Sequence, residues 1–136
     1  MKKPVALPDT NYILRYLLQD NESQFAETSA YFELVRSGKA SALLLEAVVV
    51  ECLYVLTKHY HVPRSEAAAS ISGILLYKGI TNLDRDALVQ ALSLFGEGTL
   101  DAVDCVLAAK SAADGLTLLT FDKALARCSS KAKEKP

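Results

Sequence analysis

Four acidic residues follow or begin regular segments of the sequence, in a pattern that could support hydrolytic chemistry. Asp9 comes directly after the apolar run VALP, and Asp122 comes one residue after the run LTLLT. Glu51 lies early in the stretch that follows ALLL, and Asp104 lies near the first turn of a predicted helix. In a parallel α/β sheet, ligands bind beyond the carboxyl ends of the strands, where the following helices begin. We therefore expect the four carboxylates to converge on one edge of the sheet.

A cluster of carboxylates with few histidines favours a hard cation, and Mg²⁺ or Mn²⁺ is the expected ion. Such an ion activates a bound water and offsets charge on the leaving oxygen of a phosphodiester, so no protein nucleophile is needed. The sequence contains neither a G-x-S-x-G motif nor a Walker loop. Its two histidines, His59 and His61, fall at a predicted helix end, and we do not expect them to bind metal.

Each acid also has an ordinary structural explanation. Asp9 and Asp122 have the positions of helix N-caps, and Asp101 is expected to cap the helix that starts LDAVDC. Asp104 could simply favour the positive end of that helix dipole. Glu51 is different, because the apolar residues around it are expected to draw its carboxylate toward protein. A charge buried in that way needs a cation or a proton.

Strand-like and helix-like segments alternate along the chain. The predicted strands are the short runs PVALP, ASALLLE, ITNLD and LTLLT. The predicted helices are YILRYLLQ, ESQFAETSAYFELVRSG, AVVVECLYVLTKHY, VPRSEAAASISGILLYKG, RDALVQALSLFGEG, LDAVDCVLAAKSAADG and FDKALARC. This alternation predicts an α/β fold, a three-layer α/β/α sandwich around a mostly parallel central sheet.

Length and composition restrict the class of protein. With 136 residues, 51% of them hydrophobic, the chain is expected to form one domain over residues 1–127 and a polar, flexible tail over 128–136. No apolar run is long enough for a membrane helix or a signal peptide, so we expect a cytoplasmic protein. Three cysteines without a C-x-x-C pair predict reduced thiols. With a net charge of −1, a nucleic-acid partner would need a local basic patch or metal ions.

Four motifs, in this order and spacing, resemble those of PIN-domain ribonucleases, in particular the VapC-type toxins of toxin–antitoxin pairs. The motifs are LPDTNYILRYLL, VVVECLYVL, LDAVDCVLAA and LLTFDKAL, and together they cover most of the chain. The resemblance implies a metal-dependent endoribonuclease with a PIN-like fold. It places Asp9, Glu51, Asp104 and Asp122 at the family's four acidic positions, as catalytic residues and as ligands of Mg²⁺ or Mn²⁺.

The resemblance also assigns roles to residues near these acids. Asn11, from the sequence Asp-Thr-Asn, and Thr120, from Thr-Phe-Asp, match polar positions that support the metal cluster. The role of Asp101 stays open, and Glu46 is a weaker rival of Glu51. These assignments rest on the motifs and not on composition or periodicity.

The partners that the resemblance implies are an RNA substrate, a cognate antitoxin protein and a second copy of the chain in a homodimer or higher oligomer. The residues proposed to contact RNA are basic residues near the presumed sheet edge or at helix ends: Arg15, Lys58, Arg64 and Lys123. Ordinary solvated charge explains them equally well. Four aromatic residues on amphipathic helices form either a dimer or antitoxin surface or part of the core: Tyr12, Tyr16, Tyr31 and Phe32.

Two other classes of function compete with the nuclease. A PIN-like domain without catalysis would bind RNA or a protein, and metal-dependent cleavage would exclude it. A phospho-acceptor domain of the response-regulator type would need an acidic pair after the first strand and an acceptor aspartate after a strand in mid-chain. The first strand here ends in Asp9 followed by Thr and Asn, and mid-chain Glu51 lies within a predicted helix, so the phospho-acceptor is the weaker alternative.

Overall fold

The computed structural model describes residues 4–134, which form an α/β arrangement with two short strands and seven α-helices. The strands are β1, Val5–Ala6, and β2, Ser41–Ala42. A π-helical turn, Val55–His59, continues the third helix. In chain order the α-helices are α1 Thr10–Leu18, α2 Glu22–Ser37, α3 Glu46–Tyr54, α4 Arg64–Leu75, α5 Arg85–Glu97, α6 Ala102–Ala113 and α7 Lys123–Glu134.

The two strands pair in parallel, which confirms the predicted strand direction at this point. Val5 lies opposite Ser41 and Ala6 lies opposite Ala42, with α1 and α2 forming the crossover that parallel strands require. Ala42 also forms one isolated parallel bridge with Ile80, so the predicted strand ITNLD is reduced to a single bridging residue. The sheet of the described residues therefore has two strands, and the three-layer sandwich stays a prediction.

The predicted strand LTLLT is wrong. Residues 116–120 run as irregular chain between α6 and α7, and the side chains of Leu119 and Phe121 are almost fully exposed. A strand needs a neighbouring edge for its backbone hydrogen bonds. Here the Leu116 N–H donates to the Ser111 carbonyl at 2.9 Å, and Lys133 Nζ donates to the Leu116 carbonyl at 3.0 Å. Residues of α6 and α7 therefore make these hydrogen bonds to the segment, in place of a neighbouring strand. The apolar composition of LTLLT is not enough to make it a strand.

Helix packing builds most of the core. α4 packs on α5, α5 on α6 and α6 on α7, while α1 packs on both α2 and α3. Local signals fix the ends of α2: Asn21 Oδ1 accepts from Gln24 N at 3.0 Å, and Gly38 ends the helix with a φ of 83°, which suits glycine. The largest aliphatic side chains buried between the helices include Ile13, Leu44, Ile71, Ile74, Leu75, Leu88 and Leu92.

An aromatic cluster joins α1 to α2. Tyr12, Tyr16 and Tyr31 pack around the ring of Phe32, which is completely buried. The Tyr16 and Tyr77 hydroxyls share a hydrogen bond of 2.6 Å. Of the two roles considered for these aromatic residues, Phe32 has the core role, and the three tyrosines are partly buried against it.

Asn82 fixes the point at which β2 ends and α3 begins. Its buried side chain accepts a hydrogen bond from Leu44 N at 2.9 Å and donates one to the Leu44 carbonyl at 2.7 Å. It also donates to Asp84 Oδ1 at 3.0 Å. Because Leu44 lies two residues before α3, these bonds position the helix that carries Glu51.

The last helix is longer than the sequence predicted. α7 continues to Glu134 and buries Ser129 and Ala132, so residues 128–134 belong to a packed helix and not to the predicted flexible tail. The Ser129 hydroxyl shares a hydrogen bond of 2.8 Å with that of Ser111 on α6. The rest of the tail, residues 135–136, lies outside the described residues. Within residues 4–134, no helix has the length and apolar content needed to cross a membrane.

Candidate active site

Asp9 lies at the carboxyl end of β1, where α1 begins. Its Oδ1 accepts a hydrogen bond from Tyr12 N at 2.8 Å, so Asp9 is the N-cap of α1, as its position suggested. The side chain is exposed, and Oδ2 makes no hydrogen bond within the described residues. One carboxylate oxygen therefore holds the helix and the other is open to a ligand.

Glu51 is exposed on α3, so the expectation that its carboxylate is drawn into protein is wrong. The helix buries a single face, formed by Val49, Cys52 and Leu53, and Glu51 lies outside that face. The carboxylate makes no ion pair within the described residues. Because Glu51 is not buried, its charge does not need a cation to offset desolvation, and burial gives no argument for a metal at this residue.

The buried thiol of Cys52 connects two of the acids. Burial raises its pKa to about 12, and the charges of Glu51 and Asp9 add to the increase. Its Sγ lies 4.0 Å from the carbonyl oxygen of Thr10, the first residue of α1. The start of α1 and the middle of α3 meet here, which brings Asp9 and Glu51 into one region.

A second acidic group lies at the starts of α6 and α7. Burial raises the pKa of Asp104, and the nearby charges of Asp101 and Asp122 raise it further. Asp122 Oδ1 accepts from Leu125 N at 3.0 Å, so Asp122 caps α7 as its position suggested. Asp101 stands at the N-cap position of α6 but its side chain makes no capping bond, in contrast to the expected cap.

The four predicted ligands are all carboxylates, the type of ligand that a hard divalent cation prefers. They are Asp9, Glu51, Asp104 and Asp122. Their positions do not complete a metal site. Among residues 4–134, no three acidic, histidine or cysteine side chains lie close enough together to hold an ion. The charges of Asp9 and Glu51 both act on Cys52, and those of Asp101 and Asp122 both act on Asp104.

The supporting residues differ in what they contact. Thr120 Oγ1 accepts a hydrogen bond from Asp122 N at 3.0 Å, so it positions the backbone of that acid. Asn11 is exposed on the first turn of α1 and has no side-chain partner within the described part of the chain. Glu46 is paired with Lys110, whose Nζ lies 2.7 Å from Glu46 Oε1 and 3.0 Å from Asp84 Oδ2. A ligand would have to displace Lys110 from Glu46, which favours Glu51 over its rival.

The four basic residues proposed to contact RNA fall into two kinds. Arg15 pairs with Asp20, 2.6 Å between Nη1 and Oδ1, and also donates to the Tyr60 hydroxyl. Arg64 is also engaged, because its guanidinium donates to the carbonyls of Phe95 and Leu100. Lys58 and Lys123 are exposed and have no hydrogen-bond or ion-pair partner in the described structure, so these two lysines are available to a phosphate without breaking an existing contact.

Arg64 joins α4, α5 and the start of α6. Its Nε donates to the Phe95 carbonyl at 3.0 Å, its Nη2 donates to the Leu100 carbonyl, and its guanidinium carbon lies 3.7 Å from the centroid of the Phe95 ring. These contacts leave Arg64 partly buried. Its observed role is to hold the loop that leads to Asp101.

Sequence reasoning missed an aromatic groove beside the acids. Tyr54 on α3 and Val103 on α6 are both exposed and both line the same two adjoining cavities, of about 240 and about 530 Å³. Glu51 lines the larger cavity and Asp101 the smaller one. The spacing of three residues from Glu51 to Tyr54 puts them on one side of a helix and could have indicated this groove.

A family comparison bears on this arrangement. The family model for the PIN domain matches residues 6–131, which include all four acids and the two helix starts that Asp9 and Asp122 cap. The chain belongs to the PIN domain family. PIN domains are generally nucleases that bind RNA, and they typically use divalent metal ions. No curated protein and no solved structure matches the chain.

Proposed function

We propose that this PIN domain is an endoribonuclease that requires Mg²⁺ or Mn²⁺ and uses Asp9, Glu51, Asp104 and Asp122 as its catalytic carboxylates. The observation that carries the proposal is the family match over residues 6–131, which contains all four. The pKa of Asp104 is raised first by burial and then by the carboxylates of Asp101 and Asp122, and a cation bound beside Asp104 would favour its ionised form.

The chain's own residues would contribute in different ways. A divalent ion, when bound, supplies an activated water and offsets negative charge on the leaving oxygen. Asp9 offers Oδ2, since Oδ1 is used by the cap of α1. Thr120 holds the backbone of Asp122 in place, and Lys58, which lines a cavity together with Asp101, would meet an incoming phosphate.

The narrower proposal is that this ribonuclease is the toxin of a type II toxin–antitoxin pair in the cytoplasm. The support for it is the resemblance of the four motifs to VapC-type toxins, which also suggests an antitoxin partner and a homodimer. Light scattering at several protein concentrations would test self-association. A mass that stays at 14.7 kDa throughout would contradict the homodimer.

A non-catalytic binding module is the second candidate. The observation that favours it is that no three acidic, histidine or cysteine side chains among residues 4–134 lie close enough together to hold an ion. A binding module would retain affinity for RNA or protein and would release no metal-dependent products.

The decisive experiment incubates a pool of structured RNAs with purified protein in Mg²⁺, in Mn²⁺ and in chelator. The wild type is compared with Asp104→Asn and with the matched control Asp114→Asn, because Asp114 is an exposed aspartate at the opposite end of α6. We expect metal-dependent products from the wild type and from Asp114→Asn, and at least a hundredfold less from Asp104→Asn. Circular dichroism verifies that each variant is folded.

Mn²⁺ titration by calorimetry supplies a second readout that does not depend on the choice of RNA. We expect the wild type and Asp114→Asn to bind Mn²⁺, and Asp104→Asn to bind it at least tenfold more weakly. A folded wild type that neither binds Mn²⁺ nor cleaves any RNA would overturn the nuclease and favour the binding module.

A further inference from the structure

Tyr54 differs from the other five tyrosines of the chain because its side chain makes no contact of the kinds that hold theirs within the described residues. Its side chain is 64% exposed, and neither its ring nor its hydroxyl has a partner within the described residues. The other tyrosines all make ring contacts or hydroxyl hydrogen bonds: Tyr12, Tyr16, Tyr31, Tyr60 and Tyr77. A large exposed aromatic side chain with no internal role indicates a contact surface.

The ring of Tyr54 lies between opposite charges. Tyr54 lines both cavities of the groove, Glu51 lines only the larger one, and Lys58 lines only the smaller one. Glu51 is three residues before Tyr54 and Lys58 four residues after it, so the three side chains share one side of the helix. The π-helical turn that follows Tyr54 carries Lys58.

Lys58 is the available cation of this groove. Arg64 also lines it, but its guanidinium is bonded to the carbonyls of Phe95 and Leu100. Lys58 is exposed and without a partner in the described structure. An aromatic face with a free ammonium group one turn away matches a nucleotide, whose base stacks on the ring while its phosphate meets the cation.

A protein partner fits this groove less well. Covering Tyr54 with an apolar surface would also bury Glu51, Asp101 and Lys58, and each buried charge needs a partner to offset its desolvation. A stacked base covers only the ring and leaves the charges hydrated. The charge pattern therefore favours a base over an apolar protein surface.

We propose that Tyr54 stacks on an unpaired base of the RNA substrate and that Lys58 contacts the adjacent phosphate, so the substrate is single-stranded at the site. This inference rests on the proposed function, since it takes RNA to be the substrate. A base within a duplex has both faces covered by its neighbours, and only a single-stranded or looped segment exposes one to the ring.

The test uses a short single-stranded RNA that carries 2-aminopurine and phosphorothioate linkages, which slow hydrolysis, in Mg²⁺ buffer. The wild type and Tyr54→Phe, which keeps the aromatic ring, are expected to bind alike and to quench the 2-aminopurine fluorescence. Tyr54→Leu is the matched control, because it keeps an apolar side chain without a stacking face. We expect it to bind about fivefold to a hundredfold more weakly and to lose the quenching, the range for one stacked base.

A duplex of the same sequence is the negative substrate, and its affinity should be the same for all three proteins. Equal binding of the single strand by the wild type, Tyr54→Phe and Tyr54→Leu would overturn the inference. So would a change in self-association with no change in RNA affinity, which would make the groove a protein interface.

The two proposals fail in different ways. If the wild type cleaves RNA and Tyr54→Leu cleaves the same RNA with unchanged affinity, the stacking site is wrong and the nuclease stands. If single-stranded RNA binding depends on Tyr54 but no protein cleaves any RNA, the stacking site stands and the nuclease is wrong.

Discussion

Asp9 has two roles that substitutions can separate, one in the fold and one in the proposed chemistry. Asp9→Asn should keep the bond to Tyr12 N, because asparagine caps helices about as well as aspartate. Its free energy of unfolding should stay near the wild-type value, while Mn²⁺ affinity falls at least tenfold. Asp9→Ala should lose both the capping bond to Tyr12 N and the affinity for Mn²⁺, and the lost cap should cost about 1 kcal/mol in stability. Urea unfolding and Mn²⁺ calorimetry measure the two effects.

Asn21, the N-cap of α2, is the matched control for the cap of α1. Asn21→Ala should also cost about 1 kcal/mol in stability, but it should leave Mn²⁺ affinity unchanged. An Asp9→Asn protein that binds Mn²⁺ as tightly as the wild type would remove Asp9 from the proposed ligands and leave only the cap.

The stability of the fold should depend on pH through Asp104, because the pKa of Asp104 lies above the ordinary value of 3.8. The fold disfavours the ionised form, so Asp104 costs stability as pH rises through the raised pKa and costs nothing well below it. Without metal at pH 7, Asp104→Asn should therefore unfold at a higher temperature than the wild type. The gap should close as pH falls toward the ordinary carboxyl range.

Thermal unfolding at a series of pH values checks this. Adding Mn²⁺ at pH 7 should stabilise the wild type and not the variant, because ligand binding to the native state adds to its stability. If metal-free Asp104→Asn is the less stable protein at pH 7, the Asp104 carboxylate is favourably paired, and its burial and the nearby charges of Asp101 and Asp122 do not dominate.

Local signals at single residues were readable from the sequence, and long-range distances were not. The caps at Asp9 and Asp122 need only the residues that follow them, so their positions predicted them correctly. The missing cap at Asp101 and the exposure of Glu51 depend on how α3 and α6 lie against the rest of the fold.

At the scale of elements, Gly79 connects α4 to the segment that positions α3. A Cβ at this residue would lie 2.0 Å from the carbonyl oxygen of Ala40 and 2.7 Å from that of Val35. Both are backbone atoms in the structure around β2 and cannot simply rotate away. Gly79→Ala should therefore destabilise the fold by more than about 2 kcal/mol, the size of effect that such a backbone clash produces.

Gly73, inside α4, is the matched control, since a Cβ there would meet nothing within 4 Å. Gly73→Ala should raise the free energy of unfolding by about 0.4–1 kcal/mol, because alanine restricts the unfolded chain. Urea unfolding compares the two variants. Wild-type stability in Gly79→Ala would mean that the segment from Gly79 to Asn82 shifts at little cost, and that its contact with β2 does not fix the start of α3.

The helices were predictable because each has its own periodicity and its own stop signals, as Asn21 and Gly38 show for α2. Strands were harder, because pairing depends on a second segment. The run VALP became β1 because β2 lies beside it, whereas the equally apolar LTLLT pairs with no strand within residues 4–134 and stays irregular. The π-helical turn after Tyr54 has no signal in the sequence that we can identify.

At the scale of the whole molecule, electrostatics gives RNA little general attraction. The net charge is −1, and both acidic groups would repel a phosphate backbone in the absence of cations. Of the four basic residues proposed to contact RNA, Arg15 and Arg64 already have partners. Binding should therefore depend on few phosphate contacts, with Lys58 and Lys123 as the available cations.

Salt dependence measures this directly, because log affinity for a single strand falls with log salt by about 0.7 per phosphate contact. With Lys58 and Lys123 as the two phosphate contacts, we expect a slope of about −1.4 for single-stranded RNA in KCl at constant Mg²⁺. Lys58→Gln should make the slope shallower by about 0.7. Arg36→Gln should leave it unchanged, because Arg36 is paired with Glu33 on the outside of α2.

Tyr54→Leu separates stacking from charge in the same titration. It should weaken binding at every salt concentration without changing the slope, since a ring releases no counterion from the RNA. An unchanged slope in Lys58→Gln would remove Lys58 from the path of the phosphates. If Lys123→Gln also left the slope unchanged, the RNA backbone would be held by the divalent ion and by backbone groups, and the proposed lysine contacts would be wrong.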